Sequence, residues 1–272
     1  MQRHGNKLLY APSDLGNFIA CEHLTQLELA AVLGESERPS LSNAFVDLIK
    51  RKGEEHERNF LEALRAEGHA LDEVGLGGDR DFALGAAATA AAMRAGAKYI
   101  YQAVFLIDGW HGIADFLERI DWPSSLGNWS YQVLDTKLAR HPRPEHALQL
   151  CFYSHALEQI QKVAPEVAYV VLGTRERFPI RIANVSAYFR RLQERFHDAI
   201  TARSPTTPYR CDHCLMCGYQ SICEERWERE DHLVRVAGIR RDQVNRLATA
   251  DIRTLTALAK ARADTRVPKI PA

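Results

Sequence analysis

Two acidic residues and a lysine in this chain have the spacing that phosphodiester chemistry needs. The run Val133-Leu134-Asp135-Thr136-Lys137 reads as a strand, and alternate residues of a strand project to one face, so Asp135 and Lys137 stand together. A second carboxylate, Asp115 in Gly112-Ile113-Ala114-Asp115-Phe116, falls on a neighbouring strand. Two hard oxygen donors, completed by phosphate oxygens, suit Mg²⁺ or Mn²⁺. Such an ion polarises a phosphate and generates hydroxide, while Lys137 orients the water or stabilises developing charge. His56, on the apolar face of a helix, adds a nitrogen donor that favours Mn²⁺. Gln149 and Tyr153 lie four apart on a helix and point the same way, where they brace such a site or meet a nucleic-acid backbone. Each group has a plainer reading by itself: Asp-x-Lys is common in strands, a histidine on an apolar face packs in cores, and Gln149 with Tyr153 makes a solvated or capping pair. Their order concentrates the chemistry: His, Asp, Asp-x-Lys and Gln-x-x-x-Tyr on helix, strand, strand and helix.

A second cluster is made of sulfur. Four of the six cysteines follow the spacing Cys211-x2-Cys214-x2-Cys217-x5-Cys223. Thiolates at these intervals can converge on one soft metal centre, either a structural Zn²⁺ held by the four or an iron–sulfur cluster. In a long chain of this composition, cysteines point to metal or redox chemistry rather than to disulfides.

The elements that must carry these residues follow from periodicity and punctuation. Pro12-Ser13-Asp14 predicts a helix start with Ser13 as N-cap, followed by Leu15, Phe18 and Ile19, with Cys21 near the end. Residues 43–67 read as a long helix with Phe45, Ile49, His56 and Phe60 on one face, interrupted at Gly53. An alanine-rich helix spans 82–95. Strands are predicted at 99–105, at 110–120 after the tight turn Asp108-Gly109, and at 131–138. A helix over 142–163, a β-branched strand over 167–172, its partner over 178–182 and an Arg-rich helix over 186–202 complete a core of α/β or α+β class with a mixed central sheet. The linker Ser204-Pro205-Thr206-Thr207-Pro208 precedes the cysteines, and two short helices are predicted within 237–260 around Ala250-Asp251. Of 272 residues, 35 are basic and 35 acidic. This balance excludes a polycationic tail, although the part after residue 203 is mildly basic. No apolar run is long enough to span a membrane and no secretory signal opens the chain, so the expected compartment is the cytoplasm.

Taken together, Gly53-Glu54-Glu55-His56, Gly112-Ile113-Ala114-Asp115, Asp135-Thr136-Lys137 and Gln149-Leu150-Cys151-Phe152-Tyr153 resemble the successive motifs of the RecB-like branch of the PD-(D/E)XK nucleases. The middle acidic residue is Asp135, where Glu is also common. The resemblance implies a restriction-endonuclease-like core, a mixed sheet flanked by helices, with N- and C-terminal helical parts joined by a metal cluster. It implies Asp115, Asp135, Lys137, Gln149 and Tyr153 as catalytic residues, and His56, Asp115, Asp135 and the Thr136 carbonyl as holders of Mg²⁺ or Mn²⁺. Nucleases of the AddB and CRISPR-adaptation type carry a [4Fe–4S] cluster on one early cysteine and a later C-x2-C-x5-C trio. Here Cys21, within Pro12-Ser13-Asp14-Leu15-x-x-Phe18-x-x-Cys21, and Cys214, Cys217 and Cys223 fit that pattern. Cys211 is left over, or is the fourth ligand if Cys21 is merely buried; Cys151 reads as a core residue. The implied organisation is an N-terminal element over 1–42, a nuclease core over 43–203, a cysteine-rich segment over 204–232 and a helix-hairpin-helix-like element over 233–272. The implied activity is a metal-dependent deoxyribonuclease, an exonuclease on single strands or DNA ends, working with a helicase domain or CRISPR-adaptation proteins. The competing reading is a DNA-binding scaffold that does not cut. Zinc in place of the cluster is a third.

Overall fold

A computed structural model of the chain describes residues 1–5, 7–39, 44–77, 81–262 and 267. A short hairpin of β1 (Gln2–His4) and β2 (Lys7–Leu9) leads into α1 (Pro12–Ala20) and α2 (Glu22–Val32). The helix starts two residues earlier than Ser13 capping would have it. Ala11 is the N-cap, Pro12 occupies the first turn, where its missing N–H costs nothing, and the buried Asp14 carboxylate accepts from Ala11 N at 2.8 Å. The long α3 (Ala44–Ala66), β3 (Leu71–Glu73) and α4 (Phe82–Ala95) come next. Asp81 caps α4 by accepting from Ala83 N and Leu84 N, and Gly96 ends it in the left-handed conformation (φ 76°).

The main sheet has six strands in the order β3-β4-β5-β6-β7-β8, with β4 (Tyr99–Ile107), β5 (Trp110–Ile120), β6 (Ser130–Lys137), β7 (Val167–Leu172) and β8 (Arg177–Arg181). Asp108 and Gly109 both take positive φ (50° and 78°), as the two-residue turn joining β4 to β5 requires. The pairs β3/β4 and β6/β7 are parallel and the others antiparallel. Each parallel pair needs a crossover, supplied by α4 and by α5 (Pro144–Gln161) respectively. The mixed sheet expected from the sequence is therefore present.

Successive strand residues face opposite layers. Ile100, Leu117, Val133 and Val170 join a large core with Leu15, Phe18, Leu150 and Phe196, whereas Tyr99, Phe116, Leu134 and Val171 join Leu61 and Leu64 of α3. The sheet is thus covered by α3 on one face and by α1, α5 and α6 (Ala183–Ala202) on the other. Each fully buried Leu or Phe in these layers contributes roughly 1.5–3 kcal/mol. β5 passes under α5 so closely that a Cβ at Gly112 would stand 2.8 Å from a Tyr153 ring carbon.

Past α6, a 3₁₀ turn (Asp212–Met216) and α7 (Gln220–Arg229) carry the late cysteines. Trp227 donates to Pro208 O at 2.9 Å and fixes α7 against the linker. A small separate core of Leu233, Val244, Leu247 and Ile252 holds α8 (Arg241–Thr249) and α9 (Leu255–Lys260). The N-terminal helices reach the far end of the chain: Gln26 donates to Ala199 O at 2.9 Å, and His23 shares a hydrogen bond with Thr206 Oγ1 at 2.7 Å. Among the described residues no helix is long and apolar enough to cross a membrane.

Candidate active site

The site forms where the sheet forks. β5 and β6 pair from Ile120↔Ser130 to Phe116↔Leu134. Beyond that point β5 continues against β4, while β6 continues from Asp135 to Lys137 against β7. Asp115 and Asp135 are the first residues past the fork. Asp115 Oδ2 accepts from both Thr136 N and Thr136 Oγ1 at 2.7 Å, so a carboxylate takes the place of a β5 carbonyl and holds the parted strands in register.

Asp135 is wholly buried, and burial pushes its carboxyl up to about 7. Lys137 Nζ lies 2.6 Å from its Oδ2 and pulls the other way; the contact is a charge pairing without hydrogen-bond alignment, and neither Asp135 oxygen has a hydrogen-bond partner. The Lys137 ammonium is itself held above its usual range, because the charges of Asp135 and Asp115 outweigh its desolvation.

A third carboxylate arrives from α3. Glu57 is half-buried and accepts from Gln102 Nε2; burial and the charge of Asp115 raise it above the usual carboxylate range. Gln102 lies on β4 opposite Asp115, between the paired residues Tyr101↔Phe116 and Ala103↔Ala114, and takes a left-handed backbone (φ 53°). A non-glycine residue in that region carries strain of about 1–3 kcal/mol, here spent on aiming an amide at Glu57. Asp115, Thr136, Lys137 and Glu57 line one cleft of about 520 Å³, together with Glu54, Gly53, Ile49, Lys50, Leu138, Arg143 and His146.

The sequence-derived residues divide between this cleft and its surroundings. Asp115, Thr136 and Lys137 line it, and Asp135 lies directly beneath. His56 does not line it: its ring faces β7, with Nε2 3.3 Å from Val171 O. Gln149 and Tyr153 come together as expected, with Gln149 Nε2 donating to Tyr153 OH at 3.3 Å, but they line a neighbouring cleft of about 580 Å³ that shares only Arg143 and His146 with the first. Tyr153 OH donates to Ile113 O at 2.6 Å, and so anchors β5 just before Asp115. His146 lies between the clefts; burial and the Lys137 charge hold its imidazole down at about 4, so it is neutral at pH 7. Glu57 and Gln102 escaped the sequence reading. Glu57 could have been found from its four-residue spacing after Gly53, which brings both to the same side of α3.

Residues 9–224 match the sequence family described as the PD-(D/E)XK nuclease superfamily. The chain belongs to that superfamily. No curated protein matches it. PD-(D/E)XK proteins are generally nucleases, hydrolases that act on DNA with Mg²⁺ or Mn²⁺. Among the described residues no three His, Cys, Asp or Glu side chains converge as a metal-holding group. Mg²⁺ commonly binds through only one or two carboxylates and takes its other oxygens from water and phosphate. The hard oxygens of Asp115 and the buried oxygens of Asp135, which lack hydrogen-bond partners and are balanced only in charge by Lys137, suit such an ion.

The sulfur cluster fares differently in this PD-(D/E)XK protein. Cys21 forms the junction of α1 and α2, and Cys211, Cys214, Cys217 and Cys223 lie on the segment after α6. All six cysteines are free. Cys211 Sγ and Cys214 Sγ are 3.8 Å apart. Burial raises the Cys223 thiol to about 12, with the charges of Cys217, Cys21 and Cys214 acting in the same direction. The five cysteines therefore share one neighbourhood, but they are not arranged around a common centre. Cys151 is buried in the main core, as its helical position suggested.

Proposed function

We propose that the chain hydrolyses phosphodiester bonds in DNA at the forked sheet, acting as a Mg²⁺- or Mn²⁺-dependent exonuclease on single strands or DNA ends. The observation that carries this reading is the buried Asp135, whose oxygens lack hydrogen-bond partners and pair in charge with Lys137, next to Asp115 and beneath an open cleft that Asp115 and Lys137 line. Asp115, Asp135 and the Thr136 carbonyl would hold the divalent ion, with Glu57 as a further carboxylate and His56 at the flank. When bound, the ion supplies Lewis acidity toward a phosphate oxygen and a lowered pKa for water.

The protein's own groups do the rest. Lys137, charged at neutral pH, stabilises the negative charge that grows on the phosphate, and its tether to Asp135 Oδ2 fixes where that charge sits. Thr136, clamped by two bonds to Asp115, keeps the two carboxylates at a set separation. Burial and the charge of Asp115 raise Glu57 above the usual carboxylate range while Lys137 opposes them, so its carboxyl is electrostatically tied to the pair at the fork. Tyr153 fixes the height of β5 through Ile113 O.

The deciding experiment is cleavage of end-labelled single-stranded DNA with Mn²⁺ or Mg²⁺, wild type against Lys137→Ala. Loss of one charge-stabilising donor should lower the rate about 10²–10³-fold. Equal cleavage by both proteins would remove Lys137 from the chemistry, and no cleavage by wild type with either metal would favour the scaffold reading.

On the same reading the chain is RecB-like, and Cys21, Cys214, Cys217 and Cys223 bind a [4Fe–4S] cluster that ties the N-terminal helices to the segment after the core. Support comes from the shared neighbourhood of these thiols and from the direct contacts of α2 with Ala199 and Thr206 beside them. Because the thiols do not surround one point in this arrangement, binding would have to draw them inward. A helicase or CRISPR-adaptation partner, with cytoplasmic placement, belongs to the same proposal.

A further inference from the structure

The cleft above the fork has apolar rims as well as an acidic floor. Ile49, on the N-terminal half of α3, is 46% exposed, and Leu138, the first residue after β6, is 43% exposed. Both line the cleft that holds Glu57, Asp115 and Lys137, yet they come from different elements, α3 and the end of β6. Leu48 and Phe45 extend the exposed apolar surface along the outer turns of α3. The same cleft is lined by Lys50 and Arg143, both exposed and without an ion-pair partner among the described residues. Apolar side chains left in water beside unpaired cations describe a surface for a ligand that is both anionic and flat-faced.

We propose that Ile49 and Leu138 form a notch that grips an unpaired nucleobase, while Lys50 and Arg143 take the flanking phosphates, so that the nucleotide presented to the carboxylates comes from a single strand. This rests on the nuclease reading and deepens it by naming the side chains that hold a single strand at that site. A paired duplex buries its base faces within the stack and offers a cleft sugar, phosphate and base edges but no base face. A single strand offers each base as an apolar plate on a charged backbone, and van der Waals contact of aliphatic side chains to such a plate reads no hydrogen-bonding edge and so is tolerant of sequence. The cleft of about 520 Å³ opens on the surface between these rims, so the gripped base and the phosphate next to it reach the floor together. An apolar segment of a protein partner is the other occupant such a patch could serve, and the test separates the two.

The test compares wild type with the double variant Ile49→Ser, Leu138→Ser. Both positions are exposed, so the fold survives, which a thermal melt checks. Binding is read by fluorescence anisotropy in EDTA on two labelled strands of equal length, one of thymidylates and one of abasic deoxyribose phosphates. The wild type should bind the base-bearing strand about tenfold more tightly than the abasic one, the effect of burying the apolar face of one base, and the double variant should bind both equally and weakly. The same loss of base preference should appear in KM for cleavage. Equal binding of the two strands by wild type, or an undiminished preference in the variant, would overturn the notch. If no metal supports cleavage, the nuclease reading falls while the anisotropy still decides the notch on its own.

Discussion

A carboxyl group sealed from water and paired with one lysine makes the fold respond to pH. Asp135 is raised mainly by burial and Glu57 is raised with it. Such a group holds its proton in the native state over a range where the unfolded chain has released it. Its contribution to stability is therefore complete below the ordinary carboxylate value near 4 and is lost as pH climbs through the raised value near 7. Asp135→Asn removes that titration. Its free energy of urea unfolding relative to wild type, in metal-free buffer, should become more favourable from pH 4 to pH 7.5, by up to about 4 kcal/mol, the worth of moving one carboxyl from near 4 to near 7. A difference that stays flat across this range would mean that Lys137 cancels the burial cost. The same variant should lose cleavage, because stability and catalysis draw on this residue with opposite sign. Asp115, Asp135 and Lys137 were legible in the sequence because the period of a strand places them without knowledge of the fold. Glu57 was not. Three acids lie together at Glu54, Glu55 and Glu57, and which of them line the cleft, and which meets Gln102, depends on how the helix is rolled.

The roll of α3 is set by Leu61 and Leu64, which pack on Tyr99, Phe116, Leu134 and Val171. The sequence suggested a face through Phe45, Ile49, His56 and Phe60, but only the C-terminal half of the helix lies on the sheet, and Phe45 and Ile49 stand out at 59% and 46% exposure. Apolar spacing alone could not tell a core face from a cleft rim. The strands fared better: the turn at Asp108-Gly109 and the returning strand were read closely, since both signals are local. The three-residue strands β1, β2 and β3 are too short to show a period, and α2 and α7 were missed beside the cysteines that drew attention. Glycines separate two roles at this scale. A Cβ at Gly112 would press on the Phe152 and Tyr153 rings at 2.8–2.9 Å. Gly112→Ala should thus cost about 1–3 kcal/mol and lower cleavage by shifting β5 at Ile113. Gly53 has nothing within 4 Å of its Cβ position, so Gly53→Ala should stabilise α3 by about 0.5–1 kcal/mol. Thermal melts of the two variants should move in opposite directions; a destabilised Gly53→Ala would show that α3 needs to flex at that point.

Across the whole molecule the two ends of the superfamily domain are already in contact without any cluster. Glu35 pairs with Arg203, Gln26 with Ala199 and His23 with Thr206. A cluster on Cys21, Cys214, Cys217 and Cys223 would reinforce this closure rather than create it. Anaerobically purified protein should be brown, absorb near ~400 nm and contain about four irons per chain. Cys214→Ser should bleach it and lower its melting temperature while leaving divalent-ion binding at the fork intact. Colourless protein containing one zinc would assign the thiols to a structural Zn²⁺ site instead.

That closure also imposes an order of events during synthesis. Phe18 packs against Phe196, with ring centroids 5.7 Å apart, and Leu15 shares the same core. A ribosome adds roughly 5–20 residues per second, so α1 leaves the exit tunnel with its apolar face bare and waits on the order of ten seconds or more for α6 to be made. The β4–β5 hairpin, built from neighbours in the chain, forms long before then. The newborn protein is thus a sheet with an unsealed flank, exposed to chaperones and to other nascent chains until α6 arrives.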